Sequence, residues 1–162
     1  MADALAERLS REAIALVQAS PLERTMETAE RIAAANGCTA EPAEPLIEID
    51  FGAWTGRSFA ELDDDPEWQS WNERRADGCC PGGERMAEAQ ARFVDHLFAS
   101  AARHPGPIAM VTHCDIIRAG VAHVLGVSLD AIHRFEVAPA SISTIAIDGG
   151  GARLVQLNER VQ

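Results

Sequence analysis

Three observations predict a three-layer α/β/α fold built on a mainly parallel sheet and finished by a C-terminal antiparallel hairpin. Two short apolar runs, 14–19 and 108–112, each lead directly into a helical pattern. Strands that alternate with helices in this way imply parallel pairing, with helices on both faces. The segment 141–157 instead reads as two strands around Gly149-Gly150-Gly151, a hairpin. The chain has 162 residues and is 47% apolar, enough for one core, so a single domain over 1–162 is expected.

At the start of the chain Leu5 and Leu9 share a face, giving a short amphipathic helix over 3–12 that lacks a capping residue. The strand 14–19 ends at Ser20-Pro21, and a helix from Leu22 to Asn36 closes at Gly37. Pro42 and Pro45 bound a loop, and the alternation in Leu46 to Phe51 predicts a short strand leading into the turn Gly52-Ala53-Trp54-Thr55-Gly56. Between Asp63 and Trp71, Pro66 suits a first helical position, and Trp68 and Trp71 are spaced to pack together. A long helix after Pro81-Gly82-Gly83-Glu84 carries Met86, Ala89, Phe93, Leu97 and Ala101 on one face. Pro105-Gly106-Pro107 precedes the second strand, a helix over 116–124 stops at Gly126, and Ser128 caps a short helix through Arg134. Repeats and low-complexity tracts are absent from the sequence.

Composition narrows the classes of function. A net charge of −11 argues against a nucleic-acid surface, which needs a basic stripe. There is neither a membrane-length apolar run nor a signal-peptide pattern, so the expected location is cytoplasmic. Cys38, Cys79, Cys80 and Cys114 lack zinc-site spacing and read as reduced thiols; no metal and no cofactor is expected.

The chemistry gathers at the strand ends. Ligands of parallel sheets bind outside the carboxyl ends of the strands, and here those ends carry Ser20-Pro21-Leu22-Glu23-Arg24 and Thr112-His113-Cys114-Asp115 with Arg118. Helix N-termini attract anions, and Arg24 adds a fork suited to phosphate. Taken alone, His113 reads equally as a structural or a catalytic histidine. Glu48 is the candidate acid, with Asp50 as its competitor.

Together Ser20-Pro21-Leu22-Glu23-Arg24-Thr25, the run Leu46 to Gly56, Pro81-Gly82-Gly83-Glu84 and Thr112-His113-Cys114-Asp115-Ile116-Ile117-Arg118-Ala119 resemble the histidine phosphatase superfamily, phosphoglycerate-mutase-like branch. The four motifs occur in the family's order across nearly the whole chain. The resemblance implies hydrolysis of small phosphomonoesters without metal, through a phosphohistidine. Arg24 and His113 would hold phosphate oxygens, and Glu48 would protonate the leaving group. A small phosphorylated molecule is then the expected partner, with phosphatase preferred over mutase and a homo-oligomer left open.

Two departures accompany the resemblance. Cys114 stands where a glycine usually follows the histidine, and the family's nucleophile lies in an Arg-His-Gly motif that occurs nowhere in this sequence. His96, His104, His123 and His133 read as surface or packing residues. The family's first strand is therefore expected to be missing, through a truncated reading frame or in a natural pseudo-phosphatase that binds a phosphorylated ligand or a protein. Either way this chain as written is expected to be nearly inactive. The missing strand would be interior to the sheet, which predicts a shifted hairpin, an edge supplied by another chain, or marginal stability.

Overall fold

The computed structural model describes residues 1–161. The chain runs α1 (Ala2–Leu9), β1 (Leu16–Ala19), α2 (Glu23–Asn36), β2 (Ala40–Pro42), α3 (Phe59–Leu62), α4 (Pro66–Glu73), α5 (Met86–Arg103), β3 (Ile108–Val111), α6 (Cys114–Leu125), β4 (Ser141–Asp148) and β5 (Gly151–Arg160). Three strands form a parallel sheet in the order β2-β1-β3, and β4 and β5 form a separate antiparallel hairpin. The expected α/β class, with a mainly parallel sheet and a C-terminal hairpin, is the observed one.

The central strand explains the layering. Every residue of β1 is buried, and Val17 and Ala19 are fully so. A strand covered on both faces needs apolar character throughout, which is why the run 14–19 is nearly unbroken. One apolar cluster gathers Val17, Ala19 and Ala109 with Ala29 and Ile32 of α2 and Leu5 of α1. The other gathers Met86, Ala89 and Phe93 of α5 with Ile116 and Ala119 of α6. Gln18, buried in β1, accepts hydrogen bonds from His96 at 3.0 Å and Ser100 at 3.2 Å on α5, so its amide oxygen is satisfied.

Three expectations need correction. Leu46 to Phe51 is not a strand: a 3-10 turn spans Glu44–Leu46, and residues 47–51 are irregular. Its alternation reflects loop side chains that insert one by one, with Leu46 and Ile49 buried in the α5–α6 cluster. The strand that does pair beyond β1 is Ala40–Pro42, a segment just before the expected loop for which no strand is expected. Nor does the hairpin shift to join the sheet; β4 and β5 pair only with each other among the described residues. The helix beginning at Pro66 stands as read, with Asp65 accepting the Glu67 and Trp68 amides as cap, and the long helix begins at Met86, just beyond the Pro81-Gly82-Gly83-Glu84 turn.

Trp68 and Trp71 are packing residues, joined by Phe51, Trp54 and Phe59. Trp68 stacks on Trp71 at 5.4 Å, Trp54 meets Trp68 edge-on at 5.2 Å, and the Arg75 guanidinium lies 3.3 Å over the Trp71 ring. Trp71→Ala should therefore cost ~3–5 kcal/mol in urea unfolding. Trp71→Phe should cost clearly less, and equal losses would show that ring stacking contributes nothing there.

Candidate phosphate site

Register brings the site together. Ala19 pairs with Val111, so Ser20 and Thr112-His113 leave the sheet side by side at its carboxyl edge. Ser20 donates its amide to Val111 O at 2.9 Å, and its fully buried side chain accepts from His113 Nε2 at 2.8 Å. Thr25, in the first turn of α2, donates to the carbonyls of Ser20 and Leu22 at 3.0 and 2.7 Å, fastening the turn. This turn places Arg24 over His113, with its Nη2 3.0 Å from Nδ1.

The imidazole has a determined tautomer. A guanidinium can only donate, so Nδ1 is the acceptor and Nε2 carries the hydrogen toward Ser20. His113 is 6% exposed, and burial, then the charges of Arg24 and Arg92, push its pKa down to about 4. It is neutral at pH 7. Glu48 Oε2 lies 3.8 Å from Nδ1, and its side chain is 23% exposed. Burial pushes this carboxyl up to about 7, reinforced by Asp115 and opposed by the Ile49 amide and by Arg24 and Arg92. At neutral pH the contact is thus not a full ion pair; it joins a neutral base and a carboxyl near its midpoint.

Glu48 is held by a loop clasp. The Ile49 amide donates to Glu48 Oε1 at 3.1 Å. Arg92 of α5 donates to Pro45 O at 2.8 Å and Glu48 O at 3.3 Å, while its Nε meets the Glu84 carboxylate at 2.8 Å. Glu84 N donates to Asp50 O, and Ala53 N to Pro81 O, each at 2.8 Å. Gly52 and Gly83 lie back to back at this crossing, where a Cβ on either would run into the other segment's backbone. The Pro-Gly-Gly-Glu motif is therefore a support for the acid.

The three expected site residues, Arg24, Glu48 and His113, are together. Asp50 is not a competing acid: it is exposed and accepts the Gly52 amide at 2.9 Å. Arg118 reaches only Asp115, at 3.5 Å, and Asp115 is bonded to Arg75 at 2.9 Å. Burial raises the Cys114 thiol, and its Sγ lies 3.4 Å from Val137 O. Sequence reasoning alone misses Arg92 and Ser20 as site residues. Ser20 is legible beside Arg24, whereas Arg92, on a helix far along the chain, leaves no local signal. Among the described residues no group of three or more His, Cys, Asp or Glu is placed to hold a metal ion.

Two measurements test these electrostatics. In the fold Glu48 keeps its proton up to about pH 7, against 4.5 as its ordinary value, so its contribution is present below 4.5 and declines as pH rises through 7. His113 runs the other way: neutral in the fold down to about 4 against an ordinary 6.5, it contributes above 6.5 and loses this as pH falls toward 4. Glu48→Gln should gain ~1–3 kcal/mol on the parent between pH 4.5 and pH 8 in urea titrations, and a pH-independent difference would contradict the buried neutral carboxyl. Arg92→Met should cost ~2–4 kcal/mol, because it strands the Glu84 carboxylate and two loop carbonyls.

The sequence profile of the histidine phosphatase superfamily (branch 1) matches residues 1–160. Phosphoserine phosphatase 1 of Hydrogenobacter thermophilus is 32% identical over 157 residues, covering 95% of this chain and 74% of that protein. A bifunctional protein of Mycobacterium tuberculosis is 30% identical over 89% of this chain, which spans 40% of its length. The solved structure of Bacillus stearothermophilus YhfR superposes with a TM-score of 0.88 at 25% identity, over 95% of this chain and 78% of that one. With its motifs gathered at one sheet edge and the profile matched from end to end, this chain belongs to the histidine phosphatase superfamily.

Proposed function

We propose that Arg24, His113 and Glu48 bind the phosphoryl group of a small phosphomonoester, and that Glu48 serves as proton donor to the leaving oxygen in a phosphatase reaction. The observation that carries this reading is a carboxyl raised to about 7 beside a guanidinium-capped imidazole. A proton donor works best when its pKa lies near the operating pH. Arg24 is exposed, so its N–H groups not turned to His113 can take phosphate oxygens. When phosphate draws the guanidinium off Nδ1, that nitrogen becomes a proton acceptor beside a dianion. The Glu48 carboxyl stands 3.8 Å from that nitrogen. Glu48 keeps its proton for the leaving oxygen, and the charge of the bound dianion itself raises the proton affinity of His113. The similarity to a phosphoserine phosphatase supports a small phosphorylated hydroxy compound as the substrate class.

A phosphohistidine route needs a histidine nitrogen aimed at phosphorus. His113 is the histidine that the described residues bring to this site, and both its nitrogens are engaged. This favours a second reading in which these 162 residues bind phosphate with little turnover.

Titration with inorganic phosphate, followed by imidazole NMR, tests the shared part of both readings. Binding should raise the His113 pKa by more than one unit, and Arg24→Met should weaken binding at least ~10-fold. Hydrolysis of an aryl phosphate separates the two: robust turnover abolished by His113→Ala supports the phosphatase and refutes the low-turnover reading. A residual rate indifferent to that change does the reverse.

A further inference from the structure

A buried ion pair stands beside the phosphate site without belonging to it. Arg75, in the turn that follows α4, is 3% exposed, and Asp115 lies in the first turn of α6, just beyond His113. Arg75 Nη1 donates to Asp115 Oδ2 and its Nη2 to Asn72 Oδ1, each at 2.9 Å, while the guanidinium lies over the Trp71 ring. The next residue, Ala76, donates its amide to the Asp130 carboxylate at 2.9 Å, so the turn is pinned on both sides. Arg118 reaches the other oxygen of Asp115 at 3.5 Å.

The place of Asp115 calls for a physical reason, because a carboxylate next to an anion site opposes the anion. Its charge is felt there. After burial and the Ile49 amide, Asp115 of α6 raises the Glu48 carboxyl, while Arg24 of α2 and Arg92 of α5 lower it; Glu84 is bonded to Arg92, and His113 is neutral. The intervening Cys114 thiol, raised first by burial, responds to Arg118, Asp115, Glu48 and Arg75 together, which sets all four charged groups around one position. Two guanidiniums share the single Asp115 carboxylate, and the Nε atoms of Arg75 and Arg118 are buried without a partner among the described residues. The cluster is therefore rich in donors and positive on balance. Burying a guanidinium is costly unless it is paired, so Arg75 and Asp115 hold each other in place.

We propose that Arg75 is a positioning residue for the phosphate site, acting through Asp115: it fixes and neutralises a carboxylate that would otherwise repel the incoming phosphoryl group and surround the proton-donating Glu48 with negative charge. The inference rests on the reading of Arg24, His113 and Glu48 as the phosphate site. The Arg75 side chain is engaged with Trp71, Asn72 and Asp115, so its influence passes through the carboxylate. Because the same arginine stacks on Trp71, it also joins the aromatic packing of α4 to the first turn of α6.

A double-mutant cycle on the full chain tests this, with inorganic phosphate as probe and carboxyl NMR of Glu48 in the phosphate-free chain as a second readout. Arg75→Met keeps an apolar stem over Trp71 and removes the charge. It should weaken phosphate binding at least ~10-fold and move the Glu48 titration to higher pH. Adding Asp115→Asn to Arg75→Met should return the affinity to within ~3-fold of the parent and bring the Glu48 titration back down. A merely structural arginine gives the opposite, a double variant no better than the single. That result, or a folded Arg75→Met chain with unchanged affinity, overturns the proposal. If Arg75→Met fails to fold, Asp115→Asn alone decides: the Glu48 titration should fall by at least ~0.5 pH unit with phosphate binding undiminished. An unmoved titration or weaker binding in that variant overturns the proposal. Arg24→Met separates the two readings: unchanged phosphate binding there removes the phosphate site itself, whereas the Glu48 titration still reports on Arg75 and Asp115.

Discussion

Parallel pairing of β1 with β3 is the constraint on which the site depends. Ser20 and His113 are 93 positions apart in sequence, and the pairing aligns their strands so that the two emerge as neighbours. A slip of one residue would exchange the faces of β3 and turn Ala109 and Met110 into the wrong clusters. The register is thus protected by the same burial that protects the core. Local bonds then complete the geometry: the Ser20 hydroxyl fixes the imidazole tautomer, and the first turn of α2 brings Arg24 to the remaining nitrogen.

Burial at this edge works on two ionisable groups in opposite senses with one effect. It lowers the imidazole to about 4 and raises the carboxyl to about 7, so both favour their neutral forms. Arg24 and Arg92 depress both groups, deepening the first shift and limiting the second. A site with a neutral imidazole, a carboxyl near its midpoint at pH 7 and a guanidinium is prepared for an incoming anion, because little of the attraction is spent on internal ion pairs. Arg92 links this to stability, since the side chain that bonds the Glu48 loop also contributes to its field.

Motif residues are more legible in the sequence than backbone state. Arg24 and His113 come after strands whose apolar runs are unmistakable, so their meeting at one edge can be read from the order of elements. Glu48 is legible for a partly mistaken reason. Its neighbours alternate like a strand, but the loop lacks a pairing partner and is shaped by Arg92, Glu84 and the glycine crossing instead. β2 escapes a sequence reading because Ala40–Pro42 is short and lies at an edge, where a proline is tolerated and no apolar run is required.

Periodicity and turn residues in the chain settle most of the helices, the strands β1 and β3, the hairpin and the family the motifs belong to, because these depend on neighbours within a few positions. They also place the arginine and the histidine at strand ends. Pairing across the fold settles the rest: the Nε2 tautomer of His113, the pKa of Glu48, the role of Arg92, and the hairpin's separation from β3. Each of these depends on desolvation or on hydrogen bonds between residues remote in sequence, and no local pattern encodes them.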